Sequence, residues 1–137
     1  MSWKTVVCLT ALLAVSIAIP RGGAQEHGRV FELRTYHCAE GKLPDLLARF
    51  RNHTMAIFEK HGMKNVAYWV PQDAPASKDT LIYVISHASR EAAKKNWAEF
   101  MADPEWQKVQ KESEANGKIV NKVDSVYMDA TDFSPMK

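Results

Sequence analysis

The possible folds of this 137-residue sequence are limited above all by the order in which strand-like and helix-like apolar spacings alternate after residue 29. Apolar residues that alternate with polar ones indicate half-buried strands, and apolar residues three or four apart indicate amphipathic helices. Strands are therefore predicted over 30–37, 65–70, 81–86 and 119–128, and helices over 43–61, 90–102 and 104–116. The predicted order is β-α-β-β-α-α-β.

Residues that begin and end helices support these boundaries. Pro44 suits the first turn of the first helix, and Gly62 suits its C-terminal end. Ser89 is a favourable N-cap for the second helix. Asp103 and Pro104 provide an N-cap and a first-turn proline for the third. The second helical region is therefore predicted to consist of two helices with a capped joint between them.

This order predicts an α+β domain with a four-stranded antiparallel sheet and its helices on one face, which is the ferredoxin-like arrangement. The other face of the sheet would then have no cover. Several strand residues are more apolar or aromatic than a solvated face requires: Tyr68, Val70, Leu81, Tyr83, Ile85, Val123 and Tyr127. We expect a second subunit to cover them. Two such sheets meeting face to face form a dimeric α/β barrel, so a homodimer is the expected assembly.

The first 24 residues have the layout of a secretory signal peptide. Lys4 precedes an apolar run over 6–19, and small residues follow up to Ala24. The run is shorter than the roughly 20 residues that span a bilayer, so we expect cleavage after Ala24 and no stable membrane anchor. A buried N-terminal helix or an uncleaved anchor is the alternative. The predicted organisation is a signal peptide at 1–24, a linker at 25–29, the domain at 30–129 and a C-terminal tail at 130–137, in a secreted or periplasmic protein.

Charge and cysteine content narrow the possible partners. The sequence has 18 Lys and Arg against 16 Asp and Glu, and removal of residues 1–24 takes away Lys4 and Arg21, which leaves the mature chain formally neutral. Nucleic-acid binding requires a concentrated basic face, so no nucleic acid is expected as a partner. Only Cys38 would remain after cleavage. It could pair between subunits or react, but we predict burial, because free cysteine behaves mostly as a small hydrophobe.

Short segments along the chain resemble the NIPSNAP domain family. The similar segments occur in the family's order: FELRTY at 31–36, GKL at 41–43, KHGM at 60–63, YW at 68–69 and DPEW at 103–106. The resemblance extends over about 30–128 and implies the same dimeric ferredoxin-like α/β barrel. It implies no reaction, because the family has no generally agreed activity. Its best-known members are mitochondrial, and this chain's export-like N-terminus argues against carrying that location over.

The sequence lacks the motifs of several common catalytic sites. It has no Gly-rich phosphate loop, no His-Glu-x-x-His, no Gly-x-Ser-x-Gly and no Cys-x-x-Cys. His53 and His61 lie about two helical turns apart, too far to share a metal ion in the usual one-turn manner. His87 follows a predicted strand and is interpreted as a loop residue. No metal and no cofactor are therefore predicted.

Polar residues on the first strand are the strongest candidates for a site. Glu32, Arg34 and Tyr36 recur at a period of two and are expected to point together into the barrel. One interpretation is a Glu32–Arg34 ion pair that fixes the dimer. The other is a pocket in which Arg34 binds an anionic group, Tyr36 and Tyr83 donate hydrogen bonds, and Trp69 or Trp97 forms an apolar wall.

Two function classes follow from these candidates. The first is a homodimeric protein that binds a small apolar or aromatic ligand, or that serves as an interaction module. The second is a cofactor-free monooxygenase or haem-degrading-type enzyme, which the dimeric α/β-barrel class includes. Haem degraders of this class combine an asparagine on the first strand with a tryptophan and a histidine. Trp97 and His53 could supply two of these, but the first strand contains no asparagine, so this alternative rests on fold-level analogy.

Overall fold

The computed structural model describes residues 28–137, so the predicted signal peptide and residues 25–27 of the predicted linker lie outside the described residues. Helices and strands follow the predicted order. In chain order they are β1 (Val30–Cys38), α1 (Leu43–Arg49), a π-helical segment (Phe50–Thr54), α2 (Met55–Lys60), β2 (Lys64–Trp69), α3 (Ala76–Asp79), β3 (Thr80–His87), α4 (Arg90–Ala102), α5 (Pro104–Ser113) and β4 (Val120–Met128).

The four strands form one antiparallel sheet in the order β2-β3-β1-β4. The helices pack on one face of it, around a core that includes Leu46, Phe58 and Phe100. This is the ferredoxin-like α+β arrangement used by the dimeric α/β-barrel class, so the predicted fold class is confirmed. In residues 28–137, no helix has the length and apolar character needed to cross a membrane.

The predicted helix over 43–61 is a continuous helical stretch with a π-helical turn in its middle. The backbone N–H of Met55 donates to the carbonyl oxygen of Phe50. The Thr54 hydroxyl donates to the carbonyl oxygen of Arg49 at 3.3 Å. Around this wider turn, Arg49, Phe50 and Thr54 are all buried on the inner side of the helix.

Both predicted helix caps are present. Ser89 Oγ accepts a hydrogen bond from the backbone N–H of Ala92 at 3.0 Å, at the start of α4. Asp103 Oδ1 accepts one from the backbone N–H of Glu105 at 2.8 Å, at the start of α5. Two larger differences occur: α5 ends at Ser113 and not near Asn116, and the short helix α3 begins within the loop predicted over 71–78. The other boundaries agree within one residue.

The assignment of the two sheet faces was wrong. Six residues expected on the uncovered face lie on the helix-covered face: Tyr68, Leu81, Tyr83, Ile85, Val123 and Tyr127. Arg34 pairs with Tyr83 across the sheet, and cross-strand partners share a face. Glu32, Arg34 and Tyr36 therefore point towards the helices of their own subunit, and not into a barrel between two subunits. Both faces of these strands are apolar, so the alternation alone did not reveal which face the helices cover.

The sheet face opposite the helices is called the open face here. Its apolar residues are Phe31, Leu33, Ala67, Trp69, Ile82, Val84, Val126 and Met128. Trp69 and Val126 are 52% and 54% exposed. The C-terminal tail lies beside one end of this face, where it forms a groove of about 310 Å³ with Phe31 and Val84.

Candidate ligand-binding site

A buried carboxylate on β1 organises the helix-covered side of the sheet. The side chain of Glu32 is fully buried. Its Oε1 accepts hydrogen bonds from Arg34 Nη1 and Ser125 Oγ, both at 2.7 Å. Its Oε2 accepts one from Trp97 Nε1 at 2.7 Å and lies 2.9 Å from His87 Nε2. Burial opposes ionisation, but these four partners outweigh it and lower the pKa of Glu32 to about 2.

The fold explains why these side chains meet at Glu32. β1 is a central strand, so Glu32 lies between Ile85 of β3 and Tyr127 of β4. Its period-two neighbour Arg34 points to the same side. The remaining partners come from the end of β3, from α4 and from β4. Because they are distant in sequence, only the Glu32–Arg34 pair was detectable from local spacing.

His87 was predicted as a loop residue, and this prediction was wrong. It is the last residue of β3, and its side chain is fully buried. Asn96 Nδ2 lies 3.4 Å from His87 Nδ1, while His87 Nε2 faces the Glu32 carboxylate. A histidine that carries its proton on Nε2 satisfies both contacts, because it donates to Glu32 and accepts from Asn96.

A cavity of about 400 Å³ lies beside this network, between the sheet and the helices. Its wall contains six aromatic side chains: Tyr36, Phe50, Phe58, Trp97, Phe100 and Trp106. The charged residues of the wall are Arg34, Arg49, Lys118 and Glu114. A mostly apolar concave site with a few convergent polar groups is the usual form of a small-molecule pocket.

Arg34 connects the buried network to this cavity. Its guanidinium lies 4.2 Å from the ring centroid of Trp97 and 5.5 Å from that of Tyr36. Its side chain keeps 16% of its surface exposed. Among the described residues, Nε of Arg34 finds no hydrogen-bond acceptor. The ion pair with Glu32 therefore fixes this guanidinium at the cavity wall while using only part of its hydrogen-bonding capacity.

Arg49 is a second buried cation at the cavity, and sequence reasoning missed it. Its side chain is 4% exposed. Its Nη1 donates to Ser113 Oγ at 3.3 Å and lies 3.5 Å from Glu114 Oε1. The guanidinium is 5.3 Å from the ring centroid of Trp106. Arginine on an amphipathic helix normally faces solvent, but Arg49 lies three residues after the buried Leu46 and therefore on the inner face of α1.

Of the other predicted site residues, Tyr36 and Trp97 lie at the cavity and Tyr83 does not. Tyr36 and Trp97 line the cavity with Arg34. Tyr83 lies in the core, where burial raises the pKa of its hydroxyl well above its ordinary value. That hydroxyl has no hydrogen-bond partner among residues 28–137. The expected hydrogen-bonding role of Tyr83 in an open pocket is therefore not supported, because its side chain is fully buried.

Trp69 and His53 do not reach the cavity, contrary to expectation. Trp69 pairs with Ile82 and lies on the open face. Its neighbour Tyr68 occupies the helix-covered side, and adjacent strand residues point to opposite faces. His53 is exposed on the π-helical segment and lines a separate groove of about 360 Å³ between that segment and α5. Within the part of the chain that the structure describes, no group of three or more His, Cys, Asp or Glu side chains is placed to hold a metal ion.

Solved structures of the same fold come from several bacteria. A NIPSNAP family protein of unknown function from Agrobacterium tumefaciens is 22% identical with a TM-score of 0.69, over 81% of this chain and 96% of that chain. An uncharacterised NIPSNAP-like domain protein from Burkholderia xenovorans is 17% identical with a TM-score of 0.68, over 80% of this chain and 90% of that one.

A monooxygenase from Streptomyces coelicolor, solved in complex with the ligand nanaomycin D, is 14% identical with a TM-score of 0.53, over 77% of this chain and 89% of that chain. At these identities the solved structures show a shared fold alone. No curated protein matches the chain. The NIPSNAP family model matches residues 31–135, which is most of the chain. The resemblance seen in the short segments is thus confirmed, and the chain belongs to the NIPSNAP family.

Proposed function

We propose that this protein binds a small aromatic ligand in the cavity between its sheet and its helices. The observation that carries the proposal is the cavity itself, whose volume of about 400 Å³ lies within the roughly 300–1,000 Å³ typical of ligand sites. Among the six aromatic side chains of its wall, Tyr36 and Trp97 are partly exposed and offer surface for stacking. A pure interaction module has no need of such a cavity, and close packing would ordinarily fill it.

The Arg34 guanidinium supports a ligand with hydrogen-bond acceptors. The Arg34 side chain lines the cavity and stays 16% exposed, and among the described residues only its Nη1 makes a hydrogen bond. A guanidinium has five N–H donors, so this one can still donate to a polar molecule in the cavity.

The oxidative alternative has less support. It combined Trp97 with His53, but His53 faces the separate groove near α5 and Trp97 faces the cavity. The Streptomyces coelicolor monooxygenase was solved with a ligand, so a chain of this fold can hold a small molecule. From this monooxygenase we infer only that the present protein binds a ligand, and we do not infer the same reaction.

Native mass spectrometry of the mature protein from its own host tests the proposal. We expect a small-molecule mass on the wild-type protein. Gln110→Trp places a large side chain at the cavity wall and should remove this mass. Gln107→Trp is the matched control, because Gln107 is an exposed residue of the same helix that does not line the cavity. A wild-type protein without added mass, or a mass that Gln110→Trp retains, would contradict ligand binding in this cavity.

We also propose that the protein is a homodimer in which a second copy covers the open face. Leu33, Ile82 and Val84 form the centre of this face, and Val126 and Trp69 extend it towards the edges of the sheet. An apolar face of this kind is typical of a subunit interface.

Export is a further part of the proposal and rests on the sequence of residues 1–24 alone. Cleavage after Ala24 would place Gln25 at the N-terminus of the mature chain. N-terminal sequencing of the protein isolated from the periplasm or medium checks this, and a start at Met1 would contradict it.

A further inference from the structure

We infer that the cavity takes a planar aromatic anion whose acidic oxygen atoms are held by Arg34 and Arg49. This inference rests on the proposed function and names the chemical class of the ligand. A carboxylate, a phenolate and an enolate share the relevant chemistry, which is a negative charge on oxygen attached to a flat apolar body.

The charge balance of the wall is the first argument. Three cations line the cavity, namely Arg34, Arg49 and Lys118, and Glu114 is the only carboxylate among the lining residues. Glu32 lies behind Arg34 and is fully buried, so a ligand cannot reach it. Even with Glu32 included, the site keeps one positive charge in excess. The excess charge is that of Lys118, which is exposed, because Arg34 and Arg49 each have a carboxylate partner. A positive charge at the cavity wall attracts an anionic ligand.

The hydrogen-bond pattern is the second argument. Each oxygen of Glu32 already has two partners, and Arg34 contributes only Nη1 to them. Arg49 has contacts of 3.3 Å and 3.5 Å, which are longer than the 2.7–2.9 Å of strong charge-assisted hydrogen bonds. The Arg34 guanidinium has five N–H donors and stays partly exposed at the cavity, so it keeps donors for a ligand. A ligand that supplies acceptors, and above all charged ones, therefore complements this wall.

The rigidity of the Arg34 guanidinium is the third argument. Glu32 holds it from one side, and the Trp97 ring lies 4.2 Å from it. Trp97 is itself fixed by its hydrogen bond to Glu32. Glu32 is therefore a positioning residue that holds both the cation and an aromatic wall in place before a ligand arrives. Such preorganisation favours binding, because less side-chain freedom is lost on association.

Isothermal titration calorimetry with two probes of nearly equal shape tests the inference. The probes are 1-naphthoate, which is anionic at neutral pH, and 1-naphthamide, which is neutral. We expect the mature protein to bind 1-naphthoate about tenfold more tightly than 1-naphthamide, or better, because hydrogen bonds to charged groups are the stronger ones.

Variants locate the source of this preference. Arg34→Met and Arg49→Met remove a charge but keep an apolar stem, and each should reduce the preference for the anion to about threefold or less. Glu32→Gln combined with Arg34→Met avoids leaving a buried carboxylate without its cation, and it should show the same reduction if Arg34→Met alone fails to fold. Arg51→Met is the matched control, because Arg51 is an exposed arginine of the same helical stretch that does not line the cavity.

The outcomes separate the inference from the proposed function. Equal binding of the two probes to the wild-type protein would overturn the inference and leave ligand binding in place. An anion preference that survives in both arginine variants, or that Arg51→Met also removes, would overturn the assignment to Arg34 and Arg49. If neither probe binds, the proposed function fails, and the inference fails with it.

Discussion

At the residue scale, Glu32 is the side chain on which most of the site depends. Its ion pair with Arg34 was one of two interpretations available from the period-two spacing of β1. Its contacts with His87, Trp97 and Ser125 could not be predicted, because those residues are 55 to 93 positions away and the register of three elements decides whether they meet. Local spacing identifies the members of a strand face but not their partners.

Glu32→Gln tests the importance of the buried network for stability. The substitution leaves Arg34 without its anion and turns an amide N–H₂ group towards donors, so we expect the free energy of unfolding to fall by about 3 kcal/mol. Urea denaturation at neutral pH measures this change. Glu112→Gln is the control, because Glu112 forms an exposed pair with Lys108 at 3.9 Å, and a loss below about 1 kcal/mol is expected there. Equal effects of the two substitutions would contradict a central role for Glu32.

The same carboxylate predicts how stability depends on pH. The pKa of Glu32 is lowered from 4.5 to about 2 in the folded protein, so its ionised form stabilises the fold above pH 4.5 and this contribution is lost as the pH falls towards 2. The shift corresponds to about 3 kcal/mol. We therefore expect the stability difference between the wild type and Glu32→Gln to shrink over this range in urea titrations. A difference that stays constant from pH 6 to about pH 2 would contradict an ionised Glu32 in the folded protein.

Cys38 gives a prediction about reactivity. Burial raises the pKa of its thiol to about 11, and Asp79 contributes in the same direction. Since the thiolate is the reactive form, we expect the native mature protein to react slowly with Ellman's reagent at pH 8, and the denatured protein to react at once. The predicted burial of this cysteine agrees with the structure. Rapid reaction of the native protein would show that the strand end opens readily.

At the element scale, the sequence predicted the order of helices and strands and both helix caps, because each depends on spacing or on one residue type. The π-helical turn at Phe50–Thr54 was not predicted. The position of this turn depends on how the helix side chains pack against the sheet, and helix propensity does not predict such packing. Within this turn Phe50 and Thr54 are buried and line the cavity, while His53 is exposed and lies outside it.

Ser89→Ala tests the cap of α4, the helix that carries Trp97 and Asn96 to the site. Loss of the hydrogen bond from the backbone N–H of Ala92 should cost about 1 kcal/mol in the free energy of unfolding. Ser77→Ala is a suitable control, because Ser77 lies within the short helix α3 and not at its N-cap position. Urea denaturation of the two variants checks the difference, and an equal loss in both would exclude a capping contribution.

At the scale of the whole molecule, the chain has two apolar sheet faces and enough helices to cover one of them. The strand alternation predicted this imbalance correctly but assigned the faces the wrong way round, since Tyr83 and Leu81 are in the core and Leu33 and Val84 are on the open face. The site residues of β1 consequently face the subunit's own helices. A cavity that lies within one subunit does not require the partner's residues for its chemistry.

Leu33→Asp tests the role of the open face in assembly. Leu33 lies at the centre of this face, between Val84 of β3 and Val126 of β4, so an aspartate there would be buried without a partner in a dimer but solvated in a monomer. We expect the wild type to sediment as a dimer and Leu33→Asp as a folded monomer with an unchanged circular dichroism spectrum. Ala98→Asp, on the exposed side of α4, should remain dimeric.

Because the cavity lies on the other side of the sheet, Leu33→Asp should still bind 1-naphthoate. A monomeric wild type would show that the open face is not a dimer interface, and loss of binding in a folded Leu33→Asp monomer would show that the two sides of the sheet are coupled.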